Sequence, residues 1–225
     1  MYEERPSRVP GGFTWHHTVT HAGPGRILPD GCLDLIWAGD RLIVAGPDTA
    51  AHVASRTPGA SYWGVRFAPG TGPGVLGVPA HALRDQRVDL ADLWPAAVVR
   101  RLSEEVAASA DPGAGLERVA LRRLRGGADP VMPHIACHLA AGVSVAAVSA
   151  RSGWSERQLL RRCLDAFGYG PKTLARILRF QSALALARSG MPFAAVAATA
   201  GYADQGHLSR DVKALSGVPL TRLVE

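Results

Sequence analysis

Two stretches near the C-terminus decide how this chain reads: Ala146-Ala147-Val148-x-Ala150-x-x-Gly153-Trp154 and Ala194-Ala195-Val196-x-Ala198-x-x-Gly201-Tyr202. They repeat at a constant offset of 48 residues. Each continues as Leu-x-Arg-x-apolar-x4-Gly, at an offset of 49. The first copy supplies Leu159, Arg161, Cys163 and Gly168, and the second Leu208, Arg210, Val212 and Gly217. A repeat of this length indicates one structural unit used twice.

Each unit opens on an Ala/Val run suited to a short helix. The glycine suits a left-handed C-cap or tight turn, and the aromatic after it is placed to pack beside that turn. A second helix follows. Ser155-x-x-Gln158 reads as its capping box in the first copy, and Asp204 as its N-cap in the second. Leu159, Cys163 and Phe167, and likewise Leu208, Val212 and Leu215, recur at helical spacing and predict a buried face. The outward faces carry Glu156, Arg157, Gln158, Arg161 and Arg162, then Gln205, His207, Ser209 and Arg210. A short helix, a glycine turn and a longer helix with a polar outer face make a helix-turn-helix. Its second helix is the one that enters a major groove. The plain alternative is a pair of helical hairpins with solvated faces. Arginines at the same outward positions of both copies favour the DNA reading.

Between the units, Gly170-Pro171 predicts a helix with proline at its first position, running to about Ser189-Gly190. Leu174, Ile177, Leu178 and Phe180 form its apolar stripe, with Lys172, Arg176 and Arg179 among its polar positions. A continuous helix would fix the distance between the units, and recognition helices about 34 Å apart fit successive major grooves.

Six stretches carry a family likeness: Val148 to Gly153, Ser155-x-Arg157-x-Leu159-x-Arg161, Gly168-Tyr169-Gly170-Pro171, Arg176-Ile177-x-Arg179-Phe180-Gln181-x-Ala183-Leu184, Val196-Ala197-x-x-x-Gly201-Tyr202, and Leu208-Ser209-Arg210-x-x-Lys213. With them, residues 133 to 224, about 40% of the chain, resemble the DNA-binding domain of the AraC/XylS family of bacterial transcription regulators. The resemblance implies seven helices and two reading heads per monomer. Cys163 and Val212 stand where the family usually has phenylalanine, and Gly217-Val218-Pro219-Leu220 replaces its usual Gly-x-Ser-Pro. These changes touch packing and capping and leave the DNA-facing positions unaltered in character.

The base readers expected from this are Arg157, Gln158 and Arg161 on the first recognition helix and Gln205, Ser209 and Arg210 on the second. Leu160, at an outward position, would meet a thymine methyl. Arg162, Lys172, Arg179 and Lys213 are the phosphate candidates. Gly206 lowers helix propensity in the second head, and it would let the helix approach the DNA backbone closely. The outward faces of the two heads differ, which predicts a non-palindromic site per monomer.

Charge agrees with this placement. Residues 126–225 hold 11 basic and 6 acidic side chains, against 14 and 13 in residues 1–125. The excess positive charge sits in the repeat region, where phosphates would be met. Only Lys172 and Lys213 of the 25 basic residues are lysine. Arginine suits bidentate contact with guanine and phosphate, although a GC-rich genome also inflates arginine. Cys32, Cys137 and Cys163 are too few and scattered for a disulfide framework, and Cys137 and Cys163 read as buried in helices. Glu3 and Glu4 open the chain without an apolar run, so no signal peptide is expected, and no stretch is long and apolar enough to span a bilayer. The expectation is a bacterial cytoplasmic, nucleoid-associated protein.

Residues 1 to about 95 are rich in Gly and Pro. Phe13 to Val19, Cys32 to Trp37, Leu42 to Ala45, His52 to Ser55 and Tyr62 to Phe67 read as strands, with turns at Pro29-Asp30-Gly31 and Gly39-Asp40. Such spacing predicts a small β-sandwich or barrel. Leu28-Pro29-Asp30-Gly31-Cys32-Leu33-Asp34-Leu35, Gly46-Pro47, Gly64-Val65-Arg66-Phe67-x-Pro69-Gly70 and Asp92-Leu93-Trp94 are similar to a short N-terminal domain found ahead of this type of DNA-binding domain. Residues 96–108 and 114–125 read as helices, for dimerisation or for packing on the β domain. The fold class is therefore α+β: a β-rich domain over 1–125 ending in two helices, a linker over 126–132, and an all-α domain over 133–225 with two helix-turn-helix motifs joined by a long helix.

A β barrel can hold a small molecule in its mouth. Trp15, Trp37 and Trp63 are candidate walls, and Asp34 with Arg66 a candidate orienting pair; the alternative is that all are structural. His16, His17, His21, Cys32 and His52 include metal donors but lack ligand spacing, so neither metal nor cofactor is expected. Double-stranded DNA is the expected partner, with RNA polymerase, a small-molecule effector and a second copy of the chain as further ones. The competing readings are a DNA-repair alkyl acceptor using an activated cysteine, and a module that binds a partner other than DNA through a degenerate second head. No catalytic residue set supports an enzyme.

Overall fold

The computed structural model describes residues 1–124 and 129–224. The end of the 114–125 helix and the start of the expected linker, residues 125–128, lie outside the described residues. The N-terminal part runs β1 (Tyr2–Pro6), β2 (Phe13–Thr18), β3 (Gly23–Ile27), β4 (Leu33–Trp37), β5 (Leu42–Ala45), β6 (His52–Arg56), β7 (Ser61–Phe67), α1 (Gly72–Leu76), β8 (Arg87–Asp89), α2 (Ala96–Ala107) and α3 (Pro112–Arg123). A 3-10 turn over Ala80–Leu83 precedes β8. Seven helices follow among the described residues: α4 (Val131–Ala140), α5 (Val145–Ser152), α6 (Glu156–Phe167), α7 (Pro171–Arg188), α8 (Phe193–Thr199), α9 (Gln205–Ser216) and α10 (Thr221–Val224).

The strands form two antiparallel sheets, one of six strands ordered β1-β2-β7-β4-β5-β8 and one of two, β3-β6. Successive side chains point to opposite faces of a strand, so the register sorts residues by face. Trp63 pairs with His16 on one side and Trp37 on the other, whereas Arg66 pairs with Phe13 and Asp34. Leu33, Leu35 and Trp37 of β4 are buried and alternate with half-buried Asp34 and Ile36. The buried face packs Leu35, Val44, Val65 and Phe67 against Val99, Leu102 and Val106 of α2 and Leu116, Val119 and Ala120 of α3. Charge ties α3 to the start of the chain as well. Arg5 reaches Asp111 at 2.5 Å, and Glu117 accepts from the Ser7 hydroxyl at 2.8 Å, the Arg8 amide at 2.6 Å and the Arg8 guanidinium at 2.5 Å.

The helical domain has its own core around α7. Leu174, Ile177, Phe180 and Leu184 meet Leu159, Cys163 and Phe167 of α6 and Val212 and Leu215 of α9. The structure adds β1, β3, β8 and α1 to the elements expected from sequence. It also corrects one burial expectation: Cys163 is buried, whereas Cys137 on α4 is exposed. Its neighbours Ile135, Ala136 and Leu139 occupy the inward positions of α4 instead.

Candidate nucleic-acid interface

The first duplicated unit is α5, a turn and α6. Ser144 caps α5 by accepting from the Ala147 amide at 3.2 Å. Gly153 ends α5 at φ 70°, a left-handed conformation that glycine adopts without the Cβ penalty. The Ser149 hydroxyl donates to the Trp154 carbonyl across the turn. At the start of α6 the Gln158 amide donates to the Ser155 hydroxyl at 3.3 Å, and the Ser155 amide to Gln158 Oε1 at 2.9 Å, closing the capping box. Leu159, Cys163, Ala166 and Phe167 are buried, and burial pushes the Cys163 thiol up to about 12.

The second unit is α8, a turn with Gly201 at φ 76°, and α9. Its turn is one residue longer: α9 starts at Gln205, four after Gly201, whereas α6 starts at Glu156, three after Gly153. Asp204 caps α9, accepting from the His207 amide at 2.6 Å. The Ala203 amide donates to His207 Nδ1 at 3.4 Å, so that nitrogen is the acceptor and the His207 ring packs edge-on against Tyr202. A charged cluster that sequence reasoning missed holds the unit to α7. Buried Asp211 accepts from Arg176 Nε at 2.5 Å and from the Tyr202 hydroxyl at 3.2 Å, with Arg179 Nη2 3.5 Å away. Burial, then Asp211, pushes the Tyr202 hydroxyl up to about 12.

The expected base readers all lie on the exposed first half of a recognition helix: Arg157, Gln158 and Arg161 on α6, and Gln205, Ser209 and Arg210 on α9. Among the described residues Arg157, Arg161 and Arg210 form no ion pair. Gln158 is exposed, but its Oε1 is occupied by the capping box, leaving its amide donors outward. Leu160 stands 44% exposed beside them. Gly206 lies in the first turn of α9, with the Arg210 guanidinium folded over it.

The phosphate candidates divide. Lys172, in the first turn of α7, and Lys213, in the last turn of α9, are exposed. Arg162 lies over the Trp154 ring at 4.2 Å, with Asp129 3.5 Å away. Arg179 is turned inward, its guanidinium over the Tyr202 ring at 4.4 Å. It is engaged in the α7–α9 contact, with 32% of its side chain still exposed.

In the β domain the expected ligand group separates onto two faces of the sheet. Trp15, Asp34 and Arg66 come together on one. The Trp15 indole donates to Asp34 Oδ1 at 2.7 Å, and Arg66 Nε lies 3.4 Å from the same oxygen and 3.3 Å from Asp30. The indole lies flat over Gly64, where a Cβ would sit 2.2 Å from it. Burial raises the Asp34 carboxyl above its usual range against the pull of Arg66. Trp37 is buried in the core on the other face. Trp63, on that face too, stacks on His16 at 4.4 Å, and both Trp63 and Trp15 line an open-mouthed pocket of about 270 Å³ with Glu3, Arg5, Thr14 and Asp111. Burial, reinforced by Asp30, pushes the Cys32 thiol well above its usual range. At neutral pH it is a thiol rather than the thiolate nucleophile. Among the described residues no group of three His, Cys, Asp or Glu is placed to hold a metal, and no helix is long and apolar enough to cross a membrane.

Residues 136–225 match the family model "Helix-turn-helix domain", and residues 13–89 match "Domain of unknown function (DUF6597)". No curated protein matches the sequence. Among solved structures the chain is similar to ToxT from Vibrio cholerae O395, at 11% identity and a TM-score of 0.51, over 94% of this chain and 96% of that one. An apo ToxT variant from strain SCE256 gives 11% and 0.53 over 97% and 98%. Wild-type ToxT of that strain, solved with an unsaturated fatty acid bound, gives 11% and 0.52 over 100% and 97%. At this identity the likeness is one of fold, and it extends over both domains. The C-terminal region of this chain, residues 136–225, is a helix-turn-helix domain of the AraC type, and it follows a β-rich N-terminal domain.

Proposed function

We propose that the protein is a sequence-specific transcription regulator that reads double-stranded DNA with two unequal heads. The observation that carries this is the exposure of Arg161 on α6 and Arg210 on α9 at matched positions of a duplicated motif, with Arg157 exposed beside the first, all three without ion-pair partners among the described residues. Gln158, Gln205 and Ser209 complete the base-reading set, and Lys172, Lys213 and Arg162 meet phosphates. Arg179 instead holds Tyr202 and α9 in place. The domains divide at a linker over residues 126–132.

A small molecule bound in the N-terminal domain modulates the protein. The support is the polar cluster of Trp15, Asp34 and Arg66, the pocket beside Trp63, and a fold shared with a protein solved with a fatty acid bound. RNA polymerase and a second copy of the chain are further partners in this reading, in the cytoplasm where the DNA is. Half-buried Cys32, kept as a thiol rather than a thiolate, argues against an alkyl acceptor.

The test is fluorescence anisotropy with DNA from upstream of the protein's own operon. Each bidentate arginine–guanine contact contributes about 1–3 kcal/mol of discrimination. Arg161→Ala and Arg210→Ala should each weaken specific binding by about 5- to 150-fold while changing non-specific binding far less. Variants that bind a specific site as tightly as the wild type would remove these residues from the reading set.

A further inference from the structure

We propose that Arg26 and Arg84, both in the N-terminal domain, are positioning residues for DNA reading: each holds the C-terminal end of one recognition helix, so that the β domain sets the distance between the two heads. This rests on the two-headed reading above.

The last carbonyls of a helix lack intrahelical partners and carry the negative end of its dipole, so a guanidinium is a fitting cap. Arg26 Nη1 donates to the Ser216 carbonyl at the end of α9 at 2.5 Å, and the Ala51 amide donates to the adjacent Leu215 carbonyl at 2.7 Å. Arg84 Nη1 donates to the Gly168 carbonyl just past α6 at 3.4 Å, while His81 Nδ1 lies 3.3 Å from Asp165 in the last turn of α6. Between these points, Gln181 of α7 donates to the Pro29 carbonyl at 2.6 Å.

Both docking points fall at the same place in the repeat. Gly168 and Gly217 are the closing glycines of the duplicated motif and the C-caps of α6 and α9. A Cβ at Gly168 would sit 2.5 Å from Pro47 and 3.2 Å from the Ala80 carbonyl, and one at Gly217 3.0 Å from Arg26. The duplicated unit therefore presents a duplicated docking point. Docking occupies the rear of each recognition helix and leaves its reading half, with Arg157, Arg161, Gln205, Ser209 and Arg210, exposed. Helix α7 already links the heads through the chain. The β domain is a second tie in parallel, and two ties restrain both spacing and rotation where one leaves a hinge.

The experiment selects a two-part site from random DNA with the full-length protein, then measures affinity as the spacing between the parts changes by one and two base pairs. One base pair moves a half-site by about 3.4 Å and about a tenth of a turn. The wild type should lose about tenfold or more per step, because a displaced head forfeits at least one good base contact. In the Arg26→Ala/Arg84→Ala protein the profile should flatten to within about threefold across spacings, since a released head can follow the displaced half-site. Each single variant should flatten it part-way, and Arg26→Lys/Arg84→Lys, which keeps a cationic donor at each cap, should restore a steep profile. Both arginines are exposed, so the variants are expected to fold, and circular dichroism checks this. A steep profile retained by the double alanine variant, or an equal loss at every spacing, would overturn the proposal. A wild type that binds one uninterrupted half-site only would instead overturn the two-headed reading beneath it.

Discussion

Asp211 binds more of the helical domain than any base reader does. Its carboxylate meets Arg176 and Arg179 from α7 and the Tyr202 hydroxyl from the turn before α9, so one buried side chain fastens three segments. Hydrogen bonds to charged groups contribute about 1.5–3 kcal/mol each, and leaving buried partners unsatisfied costs about as much. Asp211→Ala is expected to lower unfolding stability by about 2 kcal/mol. Arg157→Ala, at an exposed side chain with no ion pair among the described residues, should stay within about 0.5 kcal/mol. Urea unfolding of both variants decides this, and an Asp211→Ala protein as stable as the wild type would show that the cluster contributes nothing. The cluster also engages Arg179, which reads from the sequence as a phosphate candidate. Its place among the polar positions of α7 is visible in the sequence, but the carboxylate that turns it inward lies on another helix. The same holds for Trp15, Asp34 and Arg66. As residue types they suggested one group with Trp37 and Trp63, and only the strand register divides that group between two faces of the sheet.

Elements whose signals are local were legible. Both helix-turn-helix units, their caps and α7 follow from residues within a few positions of one another, as Ser155-x-x-Gln158 and Gly170-Pro171 show. Elements that exist only through pairing were not. Strand β3 is Gly-Pro-Gly-Arg-Ile, poor strand material that is ordered against β6, and β1 carries Glu3, Glu4 and Arg5 with no apolar alternation because it is an exposed edge. The caps give a direct test at this scale. Removing a serine or aspartate N-cap costs about 1 kcal/mol, so Ser155→Ala and Asp204→Ala should each lower stability by about that amount, with Ser155→Asp near wild type; thermal unfolding that fails to separate the alanine variants from wild type counts against the caps. The tie between the chain start and α3 is testable by pH. Burial opposes ionisation of Glu117, but the Arg8 amide and guanidinium and the Ser7 hydroxyl outweigh it and hold the carboxyl below its usual range. A depressed folded value stabilises the protein above the unfolded value of about 4.3, and that stabilisation is lost as pH falls through the folded value. Glu117→Gln should therefore be less stable than wild type at pH 7 and lose less on acidification. Equal slopes for the two proteins below about pH 4.3 would mean that the tie carries no linkage.

Across the whole molecule, charge is distributed so that affinity and discrimination come from different residues. The N-terminal part is nearly balanced, with 14 basic and 13 acidic side chains in residues 1–125, and much of that charge pairs internally, as in Arg5–Asp111, Arg8–Glu117 and Arg87–Asp48. Residues 126–225 hold 11 basic against 6 acidic, and Lys172 and Lys213 remain exposed there at an end of α7 and of α9. Neutralising a phosphate releases condensed counterions, so the logarithm of the binding constant falls with the logarithm of salt at about 0.9 per contact on double-stranded DNA. Base contacts do not change that slope, because they displace no counterion. The two classes of residue should then separate in one experiment. Lys172→Ala and Lys213→Ala should each reduce the salt slope by about 0.9 and weaken specific and random DNA by a similar factor. Arg161→Ala and Arg210→Ala should weaken the specific site while leaving the slope nearly unchanged. Anisotropy titrations from about 50 to 200 mM salt cover the range in which these slopes are read. A lysine variant with the wild-type slope would remove that residue from the phosphate set. An arginine variant that lowers the slope by a full contact would move that arginine from the bases to the backbone, and leave its head with one reader fewer.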